Sequence, residues 1–237
     1  MKKATILNVI ITLVLSSSLY ILEAKDHEVR DLNNFSSVSV ATGINLILVQ
    51  GSSNEAEIDV DNIELDEIIT KVEGGKLTVK VKGNKWGSNW WKNRKRKVDV
   101  RLTYKNLEQI SASSGAHVTS DNTISNDDIE LDASSGASIN LDVDGTDIEA
   151  DASSGSTISL SGECGTFDAS VSSGARIKGA DLEAGNVEAS ASSGASIRVW
   201  AKDGLNAKVS SGGSIKYKGN PESLKKKKSS GGSVRQL

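Results

Sequence analysis

Apolar and polar residues alternate with period two over most of this chain. In one clear stretch Val187, Ala189, Ala191, Ser193, Ala195, Ile197 and Val199 share one parity, while Glu188, Ser190, Ser192, Gly194, Ser196 and Arg198 share the other. Period two is the signature of β-strands with one buried face. The first set is apolar at its ends and small in the middle, so the buried stripe narrows at Ser-Ser-Gly.

That narrowing recurs. Ser-Ser-Gly starts at Ser113, Ser134, Ser153, Ser172, Ser192, Ser210 and Ser229, at spacings of 21, 19, 19, 20, 18 and 19 residues. A sustained period with patterned flanks predicts a solenoid rather than a linker. Five residues before the motif stand Ile129, Ile148, Phe167, Val187, Leu205 and Leu224. Three residues after its Gly stand Val118, Ile139, Ile158, Ile177, Ile197, Ile215 and Val234. A second break, as in "DVDGTD", "SGECGT" and "GADLEAGN", gives two strands per coil. The expected fold is an all-β, two-sheet parallel β-solenoid. Its coils of about 19 residues turn at Ser-Ser-Gly and stack at ~4.8 Å, roughly 30 Å for seven.

Parity counted straight through the motif places the second serines inward: Ser114, Ser135, Ser154, Ser173, Ser193, Ser211 and Ser230. Buried hydroxyls need partners, so a stacked hydroxyl ladder is expected. On that reading Ser173→Leu overpacks the bend and costs ~1–3 kcal/mol. In the last copy the inward positions are Lys226 and Lys228, which no further coil can bury and which protect an open sheet edge.

Upstream, Val38, Val40, Thr42, Ile44, Leu46 and Leu48 alternate in the same way. Laying "VATGINL" on "ASSGASI" matches Gly43 with Gly136 and Thr42 with Ser135, so this segment reads as a divergent first bend. Strands are expected at Glu57–Val60, Lys76–Lys82 and Lys97–Thr103. The intervening "IELDEIITKVEGG" reads as a helical turn or an irregular strand.

Composition narrows the class. The 237 residues carry a net charge of −3 with 4% aromatics, so no global basic field points to nucleic acid. Cys164 is the only cysteine, which excludes an intrachain disulfide. The opening "MKKATILNVIITLVLSSSLYILEAK" has two lysines, an apolar run and small residues, the pattern of a secretory leader over 1–24. Cleavage after Ser18 or after Ala24 and retention as a membrane anchor all stay open. The remaining chain divides into an N-terminal β region, 25–110, and the repeat region, 111–237. It is expected outside the cytoplasm.

"TGINLILVQG" with Gly43-Ile44-Asn45, the later "GGKLTV" strand and the serial Ser-Ser-Gly turns resemble the head GIN domain family of putative auto-transporter adhesins. The resemblance spans about residues 30–237. It implies a β-helix-like protein that is secreted or held in the periplasm, at the outer membrane or on the cell surface of a Gram-negative bacterium. It also implies adhesion without a catalytic set, and a homo-oligomer, a trimer. The chain shows no segment for a C-terminal translocator barrel, so export through a barrel of its own is not expected.

Several chemistries fit poorly. A hydrolase serine needs a base and an orienting acid, yet the chain has only His27 and His117 against seven near-identical serine motifs. A phosphate cradle leads into a helix, and no copy does. Glu130, Glu149, Asp168 and Glu188 stack outward with Asp132 and Asp151 beside them; they read as a solvated face, with a lyase-like or calcium-binding groove as the alternative. Asp142, Asp144 and Asp147 lack the remaining ligands of a calcium loop. No metal and no cofactor is expected.

The one unrepeated stretch is "KWGSNWWKNRKRK", 85–97. Trp86, Trp90 and Trp91 offer stacking faces for sugars, and Lys92, Arg94 and Arg96 offer donors for anionic groups. A hydrophobic cap in a solvated loop is the plainer reading. The expected function is a non-enzymatic adhesin-like protein that binds glycan or another surface polymer. A polysaccharide lyase or hydrolase, or a purely structural envelope protein, is the alternative. Outward residues turn basic in the last coils, at Arg176, Lys178, Arg198, Lys208, Lys216 and Arg235.

Overall fold

The computed structural model of the chain describes residues 26–83 and 96–237. The leader assigned to 1–24 lies outside them. Strands follow one another almost without helix: β1 (Asp26–Asp31), β2 (Ser37–Val40), β3 (Asn45–Gln50), β4 (Glu55–Asp61), β5 (Ile68–Glu73), β6 (Lys76–Val81) and β7 (Lys97–Tyr104). Next come β8 (Gln109–Ala112), β9 (His117–Ser120), β10 (Ile124–Ser125), β11 (Asp128–Ala133), β12 (Ser138–Ala152), β13 (Thr157–Val171) and β14 (Arg176–Ala191). The chain finishes with β15 (Ser196–Val209), β16 (Ser214–Lys218), β17 (Ser223–Lys228) and β18 (Ser233–Gln236). The doubtful stretch after Ile63 is both of its alternatives: a short 3-10 turn at Leu65–Glu67, then β5 paired antiparallel with β6.

The fold is a β-solenoid. β12 pairs in parallel with β13 at a constant offset, Ser138 with Thr157 and Ala152 with Val171, so each residue meets its equivalent one coil on. The expected second break does not divide the coil: β12 to β15 each run on as one strand through it, so the chain bends there within its ladder, out along one arm and back along the other. We call the arm after each Ser-Ser-Gly the outgoing arm and the arm before the next one the returning arm. Their buried residues meet in one core, from Leu46, Ile139 and Ile197 on the outgoing arm to Ile148, Phe167 and Val187 on the returning arm. The 20- and 18-residue spacings are absorbed by irregular register between Ser159 and Ser161, and between Gly179 and Asn186.

The Ser-Ser-Gly geometry corrects the expected hydroxyl ladder. Ser114 and Gly115 have φ of 52° and 74°, and every later copy repeats the pair within a few degrees. Positive φ at both central residues, closed by Ala116 N–H donating to Ser113 O at 3.1 Å, is the pattern of a type I′ turn. Two left-handed residues reset the alternation. Ser114, Ser135, Ser154, Ser173, Ser193, Ser211 and Ser230 are therefore exposed, and the residue after the Gly turns inward. The ladder along this corner is made by main chain instead. Gly115 N–H donates to Ser135 O at 3.1 Å, Gly136 N–H to Ser154 O at 3.1 Å, and so on to Gly212 N–H and Ser230 O at 3.0 Å.

Thr42 and Gly43 belong to the same ladder, with φ of 63° and 70° and Gly43 N–H donating to Ser114 O at 3.1 Å. β2 and β3 pair in parallel with β8 and β9, so pairing runs unbroken across position 110. Beyond this first coil the architecture changes. β6 and β7 continue in parallel on β2 and β3, then β5, β4 and β1 add antiparallel. At the other end every residue of β17 is exposed, including Lys226 and Lys228. Lys226 Nζ donates to Tyr217 Oη at 3.0 Å above the last coil.

Candidate functional site

Register turns each outward position into a row along the solenoid axis. On the returning arm, Glu130, Glu149, Asp168, Glu188, Asn206 and Lys225 are successive partners, and so are Asp132, Asp151, Ser170, Ser190, Lys208 and Lys227. The surface thus passes from acidic to basic along the axis. The acidic part is strained electrostatically. Burial, and then the charges of Asp151, Asp168, Glu130 and Asp132, raises the Glu149 carboxyl above its ordinary range. Asp151 is raised by burial and by Asp132, Asp168 and Glu130. Asp168 is raised by burial and Glu188, with Lys208 opposing. The Glu188–Lys208 contact, at 3.6 Å, marks the change of sign.

Beside these rows lies an open groove of about 680 Å³. The first serines of the motif line it, from Ser134 through Ser153, Ser172, Ser192 and Ser210 to Ser229. Its floor is small and apolar, at Ala133, Ala152, Val171, Ala191 and Val209. Asp132 and Asp151 flank one end and Lys208 and Lys227 the other.

The histidines stand apart. His27 Nδ1 is 3.2 Å from Asp59 Oδ1 on the N-terminal edge. His117 Nδ1 is 3.1 Å from Ser138 Oγ, on the exposed side of the outgoing arm rather than against a motif serine. Among the described residues no group of three or more His, Cys, Asp or Glu is placed to hold a metal ion. Asp142 lies within β12 and accepts from Thr123 Oγ1 at 2.6 Å and from Ser161 Oγ at 3.1 Å, so it ties neighbouring coils together rather than forming the turn expected there.

Of the Trp/basic stretch, Trp86, Trp90, Trp91, Lys92 and Arg94 lie outside the described residues. Arg96 is described and exposed. The stretch joins β6 to β7, whose neighbours β2 and β3 are joined by the Thr42-Gly43 turn. Val81 N–H donates to Thr42 Oγ1 at 2.9 Å, so the end of β6 lies at the corner that carries the turn ladder.

Stacked coils, glycine turns and long outward rows define a β-solenoid. Residues 34–221 match the family profile described as "Putative auto-transporter adhesin, head GIN domain", and the chain belongs to that family. The family points to a secreted or surface-exposed bacterial protein. The fold is shared with a crystal structure of a putative adhesin from Bacteroides fragilis: TM-score 0.79, 20% identity, covering 90% of this chain and 98% of that one. A putative adhesin from Parabacteroides merdae has TM-score 0.71 at 20% identity, covering 90% and 95%. A protein from Parabacteroides distasonis described as a putative lipid binding protein has TM-score 0.68 at 18% identity, covering 90% and 97%. No curated protein matches the chain.

Proposed function

We propose that this chain is a non-enzymatic, adhesin-like protein of the bacterial surface that holds an extended glycan of the envelope or of a host along its coils. The observation that carries the reading is the groove. Six serines in equivalent positions line it at the rise of the coils, about 4.8 Å. A surface that repeats its hydrogen-bonding groups at a constant rise suits a ligand that repeats as well. A sugar unit of an extended polysaccharide advances by about one strand spacing, so successive units meet the same serine and the same apolar floor. The carboxylates support binding over cleavage. Glycosidase carboxylates flank the scissile bond from opposite sides, whereas Asp132 and Asp151 sit side by side on neighbouring strands.

The test is a glycan and lipid array probed with three proteins: wild type, a groove-filled Ser153→Trp/Ser192→Trp variant, and Trp86/Trp90/Trp91→Ala. Loss of glycan binding in the groove-filled variant is the expected result. Loss only in the tryptophan variant would move the contact to the 85–97 segment. Equal binding by all three would overturn both sites, and shortening of a bound polymer would overturn the non-enzymatic reading.

A further inference from the structure

The outgoing arm carries a row that the groove does not use. Lys178 pairs with Arg198, Arg198 with Lys216, and Lys216 with Arg235. All four point outward; Lys178, Arg198 and Arg235 are exposed and Lys216 is half-buried. Neighbouring rungs are about 4.8 Å apart, so four cations occupy some 14 Å. Like charges directly opposite one another across a sheet are destabilising. At this spacing they lie inside the ~8 Å screening length of physiological salt.

Elsewhere the chain relieves such charges. Lys208 reaches Glu188, Lys202 reaches Glu183 and Arg101 pairs with Asp121. None of the four cations in the row forms an ion pair among the described residues. The preceding rungs of the same row are Thr119, Asn140 and Ser159, all polar and none acidic. The chain as a whole has more acidic than basic residues, 31 against 28, so an acid-free row is not a by-product of composition.

The flanks carry a second kind of chemistry. Two residues before the cations, Arg176 is followed by Ser196, Ser214 and Ser233 in a parallel row, so three hydroxyls stand beside the last three cations. Two residues after Arg198 and Lys216, Trp200 pairs with Lys218, whose Nζ sits 3.6 Å from the indole centroid; the preceding member of this flank is Glu183, whose carboxylate is held by Lys202.

We infer that the outgoing arm of the last four coils is a binding site for a linear anionic polysaccharide, with carboxylate- or sulfate-bearing sugars laid along the Lys178–Arg198–Lys216–Arg235 row. Arginine recurs at every second rung, and its planar fork takes a carboxylate or sulfate through two parallel hydrogen bonds. The lysines between are mobile point charges. The serine row meets sugar hydroxyls. A bilayer is a poorer fit: of the exposed large apolar side chains among the described residues, Val29 and Leu224 lie away from the row, and only Leu237 flanks it, two residues after Arg235. A nucleic acid is a poorer fit as well: Trp200, the one exposed or half-buried aromatic beside the row among the described residues, already has a ring face covered by Lys218.

This site lies on the opposite arm from the groove, so filling the groove leaves it intact. The probes for the full chain are polygalacturonate, heparin, neutral dextran, a single-stranded DNA oligonucleotide and phosphatidylglycerol vesicles, each at two salt concentrations. Two variants separate the row from the general basic end: Lys178→Gln/Arg198→Gln/Lys216→Gln/Arg235→Gln, and the returning-arm control Lys225→Gln/Lys227→Gln. The expected result is salt-sensitive binding of polygalacturonate or heparin, none of dextran, and a loss of about tenfold or more in the row variant, the size of one lost charge-assisted hydrogen bond. The control keeps its affinity. The row variant melts no lower than wild type, because repulsion has been removed. An equal loss in the control, tighter binding of DNA or vesicles than of either polyanion, or no binding of either polyanion would overturn the inference.

Discussion

Phe167 and Gly179 test whether the core of this solenoid is packed side chain to backbone between coils. Phe167 is fully buried on the returning arm. A Cβ added to Gly179 would lie 3.0 Å from Phe167 Cε1, 3.4 Å from the Arg198 carbonyl oxygen and 3.6 Å from Phe167 Cζ. The φ of Gly179 is not in the left-handed region, so the backbone itself accepts alanine. Gly179→Ala therefore acts by overpacking, at ~1–3 kcal/mol, less the ~0.4–1 kcal/mol gained from a stiffer unfolded chain. Phe167→Leu alone loses ring contacts, at ~1–2 kcal/mol. In the double variant the new methyl enters space the ring has left. The combined loss should fall short of the sum of the single losses by ~1–2 kcal/mol. Urea unfolding followed by circular dichroism reads each value. Gly174→Ala is the control: its φ is +72° and its Cβ would meet nothing within 4 Å. Its cost of ~1–2 kcal/mol is purely backbone and should not depend on residue 167. Additive losses for Phe167→Leu and Gly179→Ala would refute the packing argument, as would rescue of Gly174→Ala by Phe167→Leu.

Ser173→Gly separates the two readings of the motif: an inward hydroxyl predicts a clear loss, whereas an exposed left-handed serine predicts a melting free energy within ~0.5 kcal/mol of wild type. Ser156, the one buried polar residue among those described, sits where the other copies have Ala or Gly, and its hydroxyl lies 2.8 Å from both Ala133 O and Ser153 O, between which its proton is shared. Since Ser153 N–H also donates to Ala133 O at 3.0 Å, Ser156→Ala should cost under ~1 kcal/mol in the same unfolding assay. Glu149, Asp151 and Asp168 have folded pKa values above their ordinary ones, so the native state takes up protons first and gains stability as pH falls through those values, until the unfolded carboxylates protonate too. Glu28, held low by Arg30, works the other way. The melting temperature should rise from pH 7 towards about pH 5, with a smaller rise in Asp151→Asn; a steady fall in wild type would contradict the carboxylate row. Burial and the charge of Asp147 push the Cys164 thiol up to about 12, so a disulfide reagent at pH 8 should label the folded protein slowly and the unfolded protein fast.

The solenoid itself was legible because its two signals are local and periodic. Alternation reports strands, and a bend every 19 or so residues reports coils, so the match of Thr42-Gly43 with the later Ser-Gly pairs could be made by eye. The inward serines were misassigned for an equally local reason. Parity carries through a strand but not through two left-handed residues, and Ser gives no sign of positive φ as Gly does. The antiparallel additions of β1, β4 and β5 were not legible at all, since they depend on which edge a segment docks against. The returning-arm carboxylate row was visible from spacing, but the groove beside it was not. It needs the first serines and the small floor residues of successive coils to be placed together.

The sequence alone determined the strand content, the coil length, the bend positions and the family resemblance, because each follows from short-range pattern. Tertiary structure decided the rest. Only stacking makes a row of Lys178, Arg198, Lys216 and Arg235, residues 18 to 20 positions apart that become neighbours about 4.8 Å apart. The same stacking shows which of the charges find partners. In the sequence these four are a basic trend; on the sheet they are one row of cations with no acid in it, and that juxtaposition exists only once the chain has wound through its coils.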